Sequence, residues 1–128
     1  MYFKDLSPYT YLGRDADPNI LTVGWLDIEH PFEKGVVPNH ILTRILALCF
    51  RPVNQTRGFY QSPFLKPSPI GFPIEYNGQK MLLGSAEIRV LGKNGKSYAA
   101  PNLIYHYIKD CGYFPPQEFI DAVKALGI

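Results

Sequence analysis

The side chains in this 128-residue chain that could carry acid–base, nucleophilic or metal chemistry are three histidines, two cysteines and eleven acidic residues. His30, His40 and His106 are dispersed, and the one pair at metal-ligand spacing on a credible helix face is His106 with Asp110 four residues on. A metal centre needs several Cys, His or carboxylate ligands at converging spacings, so this isolated i, i+4 pair reads as a helix-surface contact and no metal is expected. Leu83-Gly84-Ser85-Ala86 lacks the flanking glycines that hold a serine nucleophile on a strained turn, and Ser85 reads as a strand residue. The glycines spell neither a dinucleotide nor a phosphate-loop pattern, which leaves no cofactor and no catalytic set to expect.

The carboxylates that could pair for proton transfer are Asp27, Glu29, Glu33 and Glu87. Glu29 and Glu33 flank a proline and precede Lys34 in a polar stretch, where water keeps pKa values ordinary, so these residues suit recognition better than catalysis. Two further groups point the same way. Arg57 stands beside Phe59 and Tyr60, with Phe64 downstream, a guanidinium among aromatics suited to anions, rings or a protein surface. Glu87 and Arg89 fall on what reads as the open face of a strand, where they can pair with a neighbouring strand or with a partner protein. A rival reading gathers Arg57, Glu87 and His106 around the pocket of a small enzyme or ligand-binding domain. A third makes the chain a structural subunit of a homo-oligomer that pairs edge strands across a two-fold axis.

The elements that would position these groups follow from composition and pattern. A chain of this length, 46% hydrophobic and 19% charged, is sized for one core, so residues 1–128 read as a single domain. The net charge of +2 is too balanced for a nucleic-acid stripe. The longest apolar stretch, near 41–50, is broken by Thr43 and Arg44 and is too short to span a bilayer. With no apolar signal core in MYFKDLSPYT, a cytoplasmic location is expected, and there Cys49 and Cys111 read as reduced thiols.

Residues 1–18, rich in Tyr and Pro, read as an irregular arm laid across the core. Ile20–Leu26 has the β-branched and aromatic character of a first strand, and 27–35 is an acidic surface loop because Pro31 and Gly35 forbid a regular element. Apolar residues at helical spacing after Pro38 place a helix near 38–50. Five prolines make 51–73 a long ordered loop. Gly71 to Gly112 then reads as a β-meander running without pause into a helix. Asn77-Gly78 turns a hairpin between 72–76 and 80–83; 85–91 alternates Ala86, Ile88 and Val90 against Ser85, Glu87 and Arg89 as a strand with one buried face; and Lys93–Lys96 turns into 97–100. Apolar periodicity gives two closing helices, one stopping at Gly112 and one opening at Pro115-Pro116. The fold class is α+β, a three- to five-stranded mainly antiparallel sheet with a helix near 38–50 and a C-terminal helical pair.

At VGWLDIEHPF (23–32), NQTRGF (54–59), LGSAEIRV (83–90) and SYAAPNLIYHYIKDCGYFPPQEFIDAV (97–123) the chain resembles a family of small, functionally uncharacterised bacterial proteins. The resemblance spans nearly the whole chain and implies a shared fold, and it brings no established activity. Members of that kind commonly carry Cys-x-x-Cys just after the TRGF segment; here Gln61-Ser62-Pro63-Phe64-Leu65 stands in that place, so no metal or redox role of such a pair is implied. In type the chain also resembles the small, single-domain immunity proteins that neutralise contact-dependent or secreted bacterial toxins. That likeness implies a non-enzymatic protein-binding domain whose partner is a toxin, of the nuclease kind if the acidic loop is matched by a basic cleft. Neither nucleic acid nor membrane is expected as a direct partner.

Overall fold

A computed structural model describes residues 2–9, 17–51, 64, 72–92 and 95–126. Within them the order is β1 (Pro8–Tyr9), β2 (Asp17–Thr22), α1 (Asn39–Cys49), β3 (Phe72–Tyr76), β4 (Gln79–Leu83), β5 (Glu87–Leu91), β6 (Ser97–Pro101), α2 (Ile104–Cys111) and α3 (Gln117–Lys124). The α+β class, the first helix and the C-terminal helical pair are as the sequence predicts.

The strands divide in a way the sequence does not announce. β3 and β4 pair with each other alone, and a separate four-stranded sheet has the order β1-β2-β6-β5. Asn77 and Gly78, at φ of 50° and 78°, make the expected hairpin turn, because a two-residue connection of this kind needs both residues in the left-handed region. The expected continuous meander is broken after β4. At Gly84 the backbone leaves the ladder; its N–H goes to the side chain of Asn102, whose own N–H is taken by the Ala86 carbonyl. The larger sheet is mixed: β1–β2 and β5–β6 are antiparallel, and β2 runs parallel to β6. The turn between β5 and β6 is described in part, closing with Gly92 N–H on the Lys96 carbonyl, while Lys93 and Asn94 lie outside the described residues.

The first strand ends earlier than the expected Ile20–Leu26. Val23 still donates to the Ala99 carbonyl, but Gly24 turns to φ +79°, and a Cβ there would stand 2.9 Å from Ile104 Cδ1. The close approach of α2 therefore ends β2 at Thr22.

Alternation across β5 and β6 then sorts the residues. Ile88, Val90, Tyr98 and Ala100 face the helices, in one core cluster with Ile41 and Ile45 of α1, Ile104 and Tyr107 of α2, and Phe119 and Val123 of α3. The opposite face is partly covered. Tyr9, Trp25 and Ala99 form a second cluster there with Phe3 and Ile20, so side chains of the N-terminal arm, whose β1 is the edge strand of this sheet, roof part of that face.

Candidate functional site

The expectation for Glu87 and Arg89 is the first to be corrected. Glu87 is 2% exposed, so its carboxylate does not lie on an open face of β5. Tyr9 donates its hydroxyl to Glu87 Oε2 at 2.6 Å and Arg89 donates from Nη1 to Oε1 at 2.6 Å. The Arg89 guanidinium lies 4.8 Å from the Tyr9 ring centroid, adding a cation–π contact. Burial pushes the Tyr9 phenol up, and the hydrogen bond and negative charge of Glu87 push the same way. A carboxylate enclosed by a hydroxyl and a guanidinium suits a structural clamp.

His106 is also displaced from its expected place. It is fully buried, not on a helix surface, with Nδ1 2.8 Å from Asp110 Oδ2 and Nε2 3.8 Å from Cys111 Sγ. Since a carboxylate only accepts, Nδ1 carries the proton and Nε2 faces the thiol. Burial and the Asp110 charge push the Cys111 thiol up, and burial alone pushes Cys49 up to about 12, so neither is primed as a thiolate nucleophile. Both cysteines are free. Among the described residues no group of three or more His, Cys, Asp or Glu could hold a metal ion, and no helix is long and apolar enough to cross a membrane. Glu87 clamps the arm while His106 sits within α2, and Arg57, the third member of the rival pocket, lies outside the described residues.

The aromatic loop is represented by one residue. Arg57, Phe59 and Tyr60 lie outside the described residues, while Phe64 is half-buried, its ring 5.5 Å from Phe32 and 5.6 Å from Tyr107. It packs against the main core and does not present the exposed face the sequence suggests.

The acidic loop after β2 is where charge and exposure meet. Glu29 and Glu33 are exposed, with Asp27 partly so. The loop is also held from several sides. Asp27 Oδ1 accepts from the backbone N–H of Glu29 and of His30 and lies 2.7 Å from His30 Nδ1. Slight desolvation would raise the Asp27 carboxyl, but the His30 ring and the two N–H groups outweigh it and hold it below its usual range. Tyr2 stacks on the His30 ring at 3.8 Å and 8°. Phe32 turns inward onto Tyr113 and Phe64. Gly35 N–H donates to the Gly112 carbonyl and Phe114 N–H to the Glu33 carbonyl, tying the far end to the α2–α3 connection.

Sequence reasoning missed the apolar part of this surface. Ile28 is 58% and Val36 90% exposed, so two aliphatic side chains stand in water among the carboxylates. Of the adjacent Val36 and Val37, only Val37 is buried. It also missed Tyr2 and Tyr113 as anchors, because their partners are remote in sequence.

A family model described as a domain of unknown function, DUF7919, matches residues 1–124, and the chain belongs to that family. No curated protein and no solved structure matches it.

Proposed function

We propose that this chain is a non-enzymatic protein-binding domain, an immunity protein that covers the active site of a nuclease-type toxin, with the 27–36 loop as its docking surface. The observation that carries the reading is the loop itself: exposed Ile28 and Val36 beside Glu29 and Glu33, on a backbone pinned by Asp27, the Tyr2–His30 stack and the Gly112 and Phe114 hydrogen bonds. A loop already fixed in the unbound protein loses little conformational freedom on docking, which favours affinity. Aliphatic groups supply area to bury, and the carboxylates steer a basic partner and suit a cleft that binds nucleic acid.

The test is complex formation between the chain and the product of the adjacent gene, followed by calorimetry across a salt series. A complex at micromolar concentration or tighter is expected, weakening with salt, and Glu29→Lys with Glu33→Lys should cost at least tenfold in affinity, mainly through the association rate. Absence of a complex at micromolar concentration, or a charge-reversed variant that binds as the parent does, overturns the proposal.

A further inference from the structure

We infer that the cleft between α1 and the turn of the β3–β4 hairpin is a binding site for a phosphate-bearing ligand with a planar ring. None of its residues belongs to the 27–36 loop, so the inference stands apart from the docking surface.

The cleft begins with the sequence of α1. Asn39–Cys49 contains no acidic residue, and at helical spacing it places His40, Arg44 and, two residues beyond the helix, Arg51 along one stripe. Thr43 and Ala47, both small, line the cleft between these side chains. The opposite wall is the hairpin end, where Tyr76, Asn77 and Gln79 face the stripe across about 740 Å³. That volume lies within the range of sites that enclose a small organic molecule, roughly 300–1,000 Å³.

Among the described residues the lining holds two guanidiniums and an imidazole and no carboxylate. Arg44 is positioned by the end of α3, where its Nη1 donates to the Val123 carbonyl at 3.4 Å and to the Lys124 carbonyl. Those contacts use one amino group and leave the other N–H donors of the fork for a ligand. Arg51 is exposed and, among the described residues, has no ion-pair partner. Two guanidinium forks around one space match the paired oxygens of a phosphate better than a single carboxylate.

The remaining groups define the rest of the ligand. Phe50 and Tyr76 meet with ring centroids 5.8 Å apart and planes tilted by 41°, giving one aromatic wall against which a planar ring can lie. Asn77 and Gln79 bring amide donors and acceptors to the same edge. Thr43 already donates its hydroxyl to the Asn39 carbonyl, so toward the cleft its oxygen is an acceptor. No glycine-rich phosphate loop is involved, and the anion would be held by side chains alone, as suits a nucleoside monophosphate or a compound of similar shape.

The test is calorimetric titration of the full chain with AMP and UMP, with inorganic phosphate and adenosine as the two halves of the ligand. Saturable one-to-one binding of a nucleotide is expected, at least tenfold tighter than either half, falling as salt rises. Arg51→Glu should weaken it at least tenfold while leaving the thermal unfolding midpoint unchanged, since that side chain is exposed and unpaired among the described residues. The inference is overturned if neither nucleotide binds saturably, if inorganic phosphate or adenosine binds as tightly, or if Arg51→Glu binds as the parent does.

Discussion

Tyr9→Phe isolates one hydroxyl at the place where the arm is clamped to the sheet. The phenylalanine ring keeps the contacts of Tyr9 with Phe3 and Trp25, whose centroids are both 6.4 Å away, and the Arg89 guanidinium stays over it. What is lost is a 2.6 Å donation to a carboxylate that is 2% exposed. A hydrogen bond to a charged acceptor contributes about 1.5–3 kcal/mol. With an unfolding entropy of about 2.1 cal/mol/K per residue, 128 residues give roughly 0.27 kcal/mol/K, so 2 kcal/mol lowers the melting temperature by about 7 °C. Tyr98→Phe is the internal control. The Tyr98 ring is buried, but its hydroxyl donates at 2.8 Å to the exposed carboxylate of Glu118, and an interaction with a surface charge is worth about 0–1 kcal/mol. The assay is thermal and urea unfolding of the parent, the two single variants, Glu87→Gln and the Tyr9→Phe/Glu87→Gln pair. The double-mutant cycle should return a coupling of about 1 kcal/mol or more. A Tyr9→Phe shift under about 2 °C, or one no larger than that of Tyr98→Phe, refutes the clamp.

Two further perturbations test the packing on the helix side of the sheet and the tyrosines. Gly24→Ala forces a side chain onto φ +79° and sets its Cβ 2.9 Å from Ile104 Cδ1, so a loss of about 1–2 kcal/mol from the left-handed backbone alone is expected, and an unchanged melting temperature would contradict the close approach of α2. The second is alkaline titration. Burial, with Glu118 adding to it, pushes Tyr98 up to about 12, and burial together with a carboxylate pushes Tyr9 and Tyr113 up as well. A phenol whose folded pKa exceeds its unfolded value of 10.0 contributes stability that is complete below pH 10 and is lost as the pH rises through the folded value. Tyr9, Tyr98 and Tyr113 should therefore ionise at 295 nm only as far-UV ellipticity disappears; full ionisation of every tyrosine before that loss would refute the burial of these three.

What was legible in the sequence is what local chemistry decides. Asn77-Gly78 fixes its hairpin because two consecutive residues must take φ > 0, and the closing helices show themselves by periodicity and by Gly112 at φ 75°. What was not legible depends on partners far along the chain. β2 runs parallel to β6, a pairing that no turn signal encodes, and the meander divides into two sheets at Gly84, whose N–H goes to the remote Asn102 side chain. Glu87 was placed on a water-facing strand because polar residues alternate there with Ile88 and Val90. Alternation shows that two faces differ; it does not show what covers the polar one. Its cover is Tyr9, 78 positions away, and a tyrosine in a Pro-rich arm carries no mark that it will meet a carboxylate. The acidic loop was found by charge, while its apolar half escaped because exposure of Ile28 and Val36 is a property of the fold.

The arm that roofs the sheet also sets the loop. Phe3 N–H donates to the Trp25 carbonyl and its ring meets the Trp25 ring edge-on at 5.6 Å, just before Asp27 begins the turn. Asp5 joins the two ends of the loop more directly: it accepts from Gly24 N–H at 3.0 Å and from the Tyr113 hydroxyl at 2.7 Å, and Tyr113 is the residue on which Phe32 rests. Burial raises the Asp5 carboxyl, and these two donors work against that rise by favouring its charged form. With Tyr2 stacked on His30 outside and Tyr9 clamped by Glu87 beneath, one short segment fixes the loop's entry, crown and exit. Preorganisation of the surface proposed to dock a partner thus rests in large part on residues outside that surface. Affinity at Glu29 and Glu33 and stability at Tyr9 and Asp5 are consequently linked through the arm, and weakening the clamp should be felt at the loop as freedom that docking must remove.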